Sequence, residues 1–141
     1  MHQLLANSVV LTVLAILTYF DIKYRKIPAI WLGLLATAEG AEWIVTGDYA
    51  NPVRYLGILA GLVFCALSVL SRQAVGLGDA LLFTMLGGYL GIYQMLLLLF
   101  GAFCATAAFS VGLLACRKGN LKTSLPFLPF LYIAFGGMCL I

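Results

Sequence analysis

Between Met95 and Cys116 the chain reads MLLLLFGAFCATAAFSVGLLAC, 22 residues without a charge. Hydrocarbon about 30 Å thick needs roughly 20 apolar residues as helix, since each residue advances an α-helix by about 1.5 Å. The stretch therefore predicts a membrane-crossing helix. Working outward from it, similar windows run near residues 3–20, 29–46, 55–71, 79–92 and 126–141. The fourth window, 79–92, is the shortest, and its first turn is expected to lie below the surface, shielded by neighbouring helices or a water-filled cavity. The whole chain of 141 residues is 64% hydrophobic and 9% charged, with a mean hydropathy of +1.10, where a soluble domain carries about 25% charged residues. The expected fold class is all-α: a polytopic membrane protein, a bundle of about six transmembrane helices. Apolar windows recur from end to end with no polar stretch long enough to fold separately, so residues 1–141 read as a single integral-membrane domain.

The charges lie between the windows. Lys23, Arg25 and Lys26 follow the first, Arg72 follows the third, and Arg117, Lys118 and Lys122 follow the fifth. The segment with Glu39, Glu42, Asp48 and Arg54 is net acidic, and the turn near Gly91 to Gln94 is uncharged. Basic loops stay on the cytoplasmic side of a membrane, which orients the bundle with its N-terminus outside. The net charge of +3 thus reads as topology and not as a nucleic-acid footprint. Tyr19, Tyr24, Trp31, Trp43 and Tyr55 fall near window ends, where interfacial anchoring is expected.

Two carboxylates stand apart from the other three. Asp21 ends the first window and Asp79 opens the fourth, both on the expected cytoplasmic side. A carboxylate near hydrocarbon costs about 2.5–3.5 kcal/mol on insertion scales, so its presence asks for a function and a partner. Around Asp79 the chain reads Val75-Gly76-Leu77-Gly78-Asp79, in which Gly76 and Gly78 permit close approach of another backbone. An ordinary N-cap would explain Asp79 alone. An ion pair with Lys23 or Arg25 would explain Asp21 alone, although exposed pairs contribute only about 0–1 kcal/mol. Together the two acids could share a proton and activate water against a peptide carbonyl. Because an anion is favoured at a helix N-terminus and disfavoured at a C-terminus, Asp79 is expected to act as base while Asp21 holds the proton.

Glycines four apart, Gly57 with Gly61 and Gly87 with Gly91, and the run Gly101, Ala102, Ala105 and Ala108 suggest closely packed helices. Cys65, Cys104, Cys116 and Cys139 lack the spacing of a metal or redox motif and read as small buried apolar residues. The first window has no basic segment before it and no small-residue cleavage site, so it is expected to remain in the mature protein.

The Asp-Ile-Lys segment at residues 21–23 leading to Ile27-Pro28, then Gly76-Leu77-Gly78-Asp79, then Leu125-Pro126-Phe127-Leu128-Pro129-Phe130 together resemble the type IV prepilin peptidase family. The resemblance spans essentially the whole chain. It implies a membrane aspartyl endopeptidase that removes a short basic leader from type IV pilin-like, pseudopilin or flagellin-like precursors at the cytoplasmic face of the inner membrane, cutting between that leader and a hydrophobic helix. It also implies Asp21 and Asp79 as the catalytic pair, Gly76 and Gly78 as supporting residues, membrane lipid as surroundings, and no metal or other cofactor. Many members carry a preceding region with paired cysteines and a methyltransferase activity; this sequence looks like the short form without it. Members often have Lys two residues after the second Asp and Asn after Ile-Pro, where this chain has Leu81 and Ala29.

Three rival classes are weighed against it. Presenilin-type proteases share Gly-x-Gly-Asp but add a Pro-Ala-Leu motif, absent here. A small transporter or channel subunit would use Asp21 and Asp79 to bind a cation or relay protons, and would want them near mid-membrane. An inactive structural subunit would use them only as caps.

Overall fold

A computed structural model describes residues 1–72, 76–117 and 125–141. Val75, Lys118 and Lys122, named above, lie outside the described residues. Six helices follow one another with no strand among the described residues: α1 (His2–Tyr24), α2 (Ala29–Thr46), α3 (Pro52–Leu70), α4 (Leu77–Leu90), α5 (Ile92–Ala115) and α6 (Leu128–Leu140). The molecule is an all-α membrane protein. α1, α3 and α5, of 23, 19 and 24 residues, are long and apolar enough to cross a bilayer. α4 has 14 residues, and α6, with 13, is shorter still. The expectation that the fourth would be shortest is thus corrected. Pro126 and Pro129 delay the last helix, since proline has no amide to donate and fits only at a helix start.

The helix ends follow from local chemistry. α1 runs past its expected end at residue 20 because nothing stops it until Arg25, which turns left-handed (φ 52°) and donates its amide to the Asp21 carbonyl at 3.0 Å. Ile27 precedes Pro28 and so disfavours helical geometry, and Pro28 leads into α2. At α3, Asn51 accepts the Val53 amide at 3.1 Å and Pro52 occupies the first turn. A single residue, Gly91, separates α4 from α5 at φ 81°. A side chain there would be strained and would meet Val53 at 2.9 Å.

The core is one apolar cluster in which Leu14, Leu17, Leu82, Leu86, Leu128, Leu131 and Phe135 lose almost all exposure. On α5 the buried residues Met95, Leu98, Leu99 and Ala102 recur at helical spacing and form one face. Leu96, Leu97 and Phe100 point the other way, toward lipid. Cys104 and Cys116 are exposed, not buried as expected, and Cys65 and Cys139 are half-buried. α5 meets lipid over most of its circumference, which leaves an uncharged cysteine at no disadvantage.

α3 and α4 meet backbone to backbone. A methyl group on Gly57 would overlap the Gly87 carbonyl, one on Gly87 would overlap Gly57, and one on Gly61 would overlap Thr84. The expected close packing is present on these two helices. Gly91 serves the turn instead, and Gly101 makes only ordinary contact with Ala134.

One end of the bundle is fastened by polar groups. Arg54 lies 3.4 Å from Asp48 and 3.7 Å from Glu42, with its side chain 14% exposed. Asn51 donates to Asp48 at 3.1 Å, Trp43 donates to the Gly88 carbonyl at 3.3 Å, and the Tyr89 hydroxyl donates to Asn7. Trp43 is thus tied to α4, whereas Tyr19, Tyr24 and Tyr55 are at least half exposed. Removing a partner from a largely buried ion pair leaves charge without compensation. Arg54→Gln is expected to destabilise the protein by about 2 kcal/mol, read as a lower midpoint of thermal unfolding in detergent micelles.

Candidate active site

At the opposite end, Asp21 and Asp79 line one cavity of about 390 Å³. Each is half-buried, and they are close enough for their charges to interact. Asp21 comes from the last turn of α1 rather than from a loop, so its position is set by helix geometry. Asp79 is the third residue of α4. The helix is capped by Gly76, whose carbonyl accepts the Ala80 amide at 3.1 Å, and no side-chain cap bond closes its start. The N-cap explanation of Asp79 therefore fails. Its carboxylate bends back toward Gly76, where an added Cβ would lie 3.4 Å from Oδ2.

Two contacts bring the acids to a common place. Ile27, from the turn after α1, packs on Gly78, where a Cβ would sit 3.1 Å from the isoleucine. Leu128 opens α6, and its amide, which no helical carbonyl can serve at that position, donates to Asp21 Oδ2 at 3.4 Å. Phe127 anchors this helix start by edge contact with Phe83 of α4 (ring centroids 5.8 Å apart) and by packing on Phe103 of α5 (5.2 Å). The Leu-Pro-Phe-Leu-Pro-Phe segment thus links Asp21 to the helix that carries Asp79.

This geometry adds a helix start beside Asp21 to the helix end that Asp21 occupies. Asp21 ends α1 but also faces the N-terminus of α6, so each carboxylate sits at a helix start that favours an anion. Arg25 and Lys26 line the same cavity, and the Arg25 charge is felt at Asp21. Lys23 instead donates to the Tyr19 hydroxyl at 3.2 Å. Leu77 and Ile27 supply an apolar wall, and neither Leu81 nor Ala29 lines the cavity. Among the described residues no group of His, Cys, Asp and Glu is arranged to hold a metal. Chemically, the site offers two interacting carboxylates, a recess large enough for water and an extended peptide, and glycines that leave room beside the acids.

Sequence reasoning missed two contributors. The Leu128 amide is a backbone group with no residue signature, although the prolines around it marked where a helix would start. Ile27 carried no signal beyond its place before Pro28.

A bundle of apolar helices that holds two acids at one end defines a class of integral membrane protein. More particularly, the chain belongs to the type IV leader peptidase family, whose pattern matches residues 8–111, a span that includes Asp21 and Asp79 but not the segment from Leu125 to Phe130. Two curated proteins, each called prepilin leader peptidase/N-methyltransferase, one from Aeromonas salmonicida strain A449 and one from Aeromonas salmonicida, are 28% identical over 142 residues. The match covers 92% of this chain and 47% of theirs, so the chain spans about half the length of these relatives. No solved structure matches it.

Proposed function

We propose that the protein is a membrane aspartic endopeptidase that cleaves the short basic leader from type IV pilin-like, pseudopilin or flagellin-like precursors. Asp21 and Asp79 are its catalytic pair, Gly76 and Gly78 support them, and residues 1–141 act as one peptidase domain with no metal or other cofactor. The reading rests above all on one observation: two carboxylates from distant parts of the chain, residues 21 and 79, face one cavity at one end of the bundle. Family membership adds to it. The basic residues beside the acids argue that this end faces the cytoplasm, with the N-terminus outside and the bundle in the inner membrane.

In this mechanism one carboxylate takes a proton from a water molecule as its oxygen attacks the scissile carbonyl carbon. The other, protonated, donates to the carbonyl oxygen as it gains charge. Collapse of the tetrahedral intermediate breaks the C–N bond and passes a proton to the leaving amine, giving a free carboxyl end on the leader and a free amino end on the precursor. Because the acids interact within one cavity, the acid and base roles are given to the pair jointly. Cation transport is the weaker reading, because both acids lie at one end of their helices and not near the middle.

The decisive experiment co-expresses candidate precursors with wild type, Asp21→Asn or Asp79→Asn and looks for leader removal. Processing at the normal rate by either well-inserted variant sinks the assignment. A subtler variant tests the cavity wall. Gly78→Ala presses a methyl group onto Ile27 and is expected to slow processing roughly fivefold, the equivalent of about 1 kcal/mol. Ile27→Val in the same protein removes the Cδ1 contact but keeps the Cβ at 3.1 Å, and is expected to restore only part of the rate in a leader-removal time course.

A further inference from the structure

We propose that the seam between α1 and α2 is the docking groove for the apolar helix that follows the cleaved bond in the precursor. The inference rests on the peptidase reading and adds where the substrate lies. Two cavities of about 250 and 360 Å³ run along this seam and share Val9 as a common wall. Ala6, Ala38, Ala41 and Val45 line the first; Thr12, Ile16, Trp31 and Leu34 are among those that line the second. The helices are antiparallel, so together the cavities form a trough from the level of His2 and Thr46 to that of Ile16 and Trp31. From Trp31 to Thr46 the wall of α2 extends roughly 22 Å, most of a hydrocarbon thickness.

Three properties select the occupant. The trough begins next to the chemistry, because Trp31 lies four residues after Ile27, which walls the cavity of Asp21 and Asp79. A precursor whose scissile bond sits between those acids must carry its following helix away from that end and across the bilayer, which is the course of the trough. The lining is mostly apolar, with Ala6, Ala38 and Ala41 small and Leu5, Trp31 and Leu34 bulky. Its polar residues His2, Gln3, Glu42, Thr46 and Tyr89 gather at the end away from the acids. Ser8 and Thr12 spend their hydroxyl hydrogens on the Leu4 and Ser8 carbonyls at 2.7 Å each, and three alanines let another helix approach. Leu62, Leu97 and Phe100, on the exposed flanks of α3 and α5, line neither cavity.

The test places a photoreactive phenylalanine analogue at Val9 or Ala38, and separately at Leu62 or Leu97, in Asp79→Asn protein held in membranes with a pilin-like precursor. Adducts with the precursor's apolar helix are expected to be about tenfold stronger from Val9 and Ala38. In otherwise wild-type protein, Ala38→Trp is expected to raise KM for the precursor about tenfold with little change in kcat. Equal or stronger adducts from Leu62 and Leu97 overturn the proposal, as do groove adducts made only with lipid or only with a second copy of this chain. Groove adducts with a precursor that wild-type protein never cuts would retain the docking site and remove the peptidase reading. A cut precursor with adducts only at Leu62 or Leu97 would do the reverse.

Discussion

Asp79→Asn protein is expected to insert and fold as wild type does and yet to process its precursor about 10³-fold more slowly. Asparagine matches aspartate in size, and no cap bond at the start of α4 depends on the carboxylate, so the helix loses little. What disappears is a group able to accept a proton from water and give it up again. Asp21→Asn is expected to be equally inactive for the same reason, although it keeps an oxygen for the Leu128 amide. The double variant tests whether the acids act as one unit. If they do, it is no slower than either single variant, because the first substitution has already removed everything the pair does together. A time course of leader removal, normalised to the amount of inserted protein, measures all three. Losses that multiply in the double variant would mean that the two acids work independently.

Gly87→Ala carries the largest expected effect on stability. Its methyl group would occupy the space of the Gly57 carbonyl and lie 2.8 Å from the Met95 sulfur. Backbone cannot rotate away as a side chain can, so α3 and α4 must part, at about 3 kcal/mol or more. Gly57→Ala makes the same collision from the other side. The two are expected to be less than additive, since helices already separated have room for the second methyl group. Gly33→Ala is the matched control: nothing lies within 4 Å of its added Cβ, and the helix gains about 0.5–1 kcal/mol. Thermal unfolding in detergent should rank Gly33→Ala at or above wild type and both seam variants far below it.

Much of this architecture was legible in the chain because a membrane helix announces itself by uninterrupted apolar length. The six windows correspond to the six helices, and the glycine spacing on α3 and α4 marked where backbones touch. Boundaries were less legible. α1 continues through Asp21 because no proline or glycine stops it before Arg25 turns left-handed, whereas α6 starts late because Pro126 precedes it and Pro129 sits in its first turn. The acids could be singled out by their cost in hydrocarbon, but their convergence depends on the Leu128 amide, the Ile27–Gly78 contact and the Phe83–Phe127 pair. These are tertiary contacts between segments up to 107 positions apart, and no local pattern encodes them. The expected division of roles, Asp79 as base and Asp21 holding the proton, weighed only the end of α1, since the start of a sixth helix beside Asp21 is invisible in the residues around it.

The brevity of α4 and α6 decides how solvent meets the acids. At 14 and 13 residues these helices extend roughly 20 Å, about 10 Å less than a typical hydrocarbon thickness. Their far ends border the polar cavity near Arg54, through Leu90 and Gly91 on one helix and Met138 and Cys139 on the other, so the shortfall opens at the acid end. Bulk water can stand in that recess with a dielectric far above that of lipid, which lightens the penalty for two carboxylates.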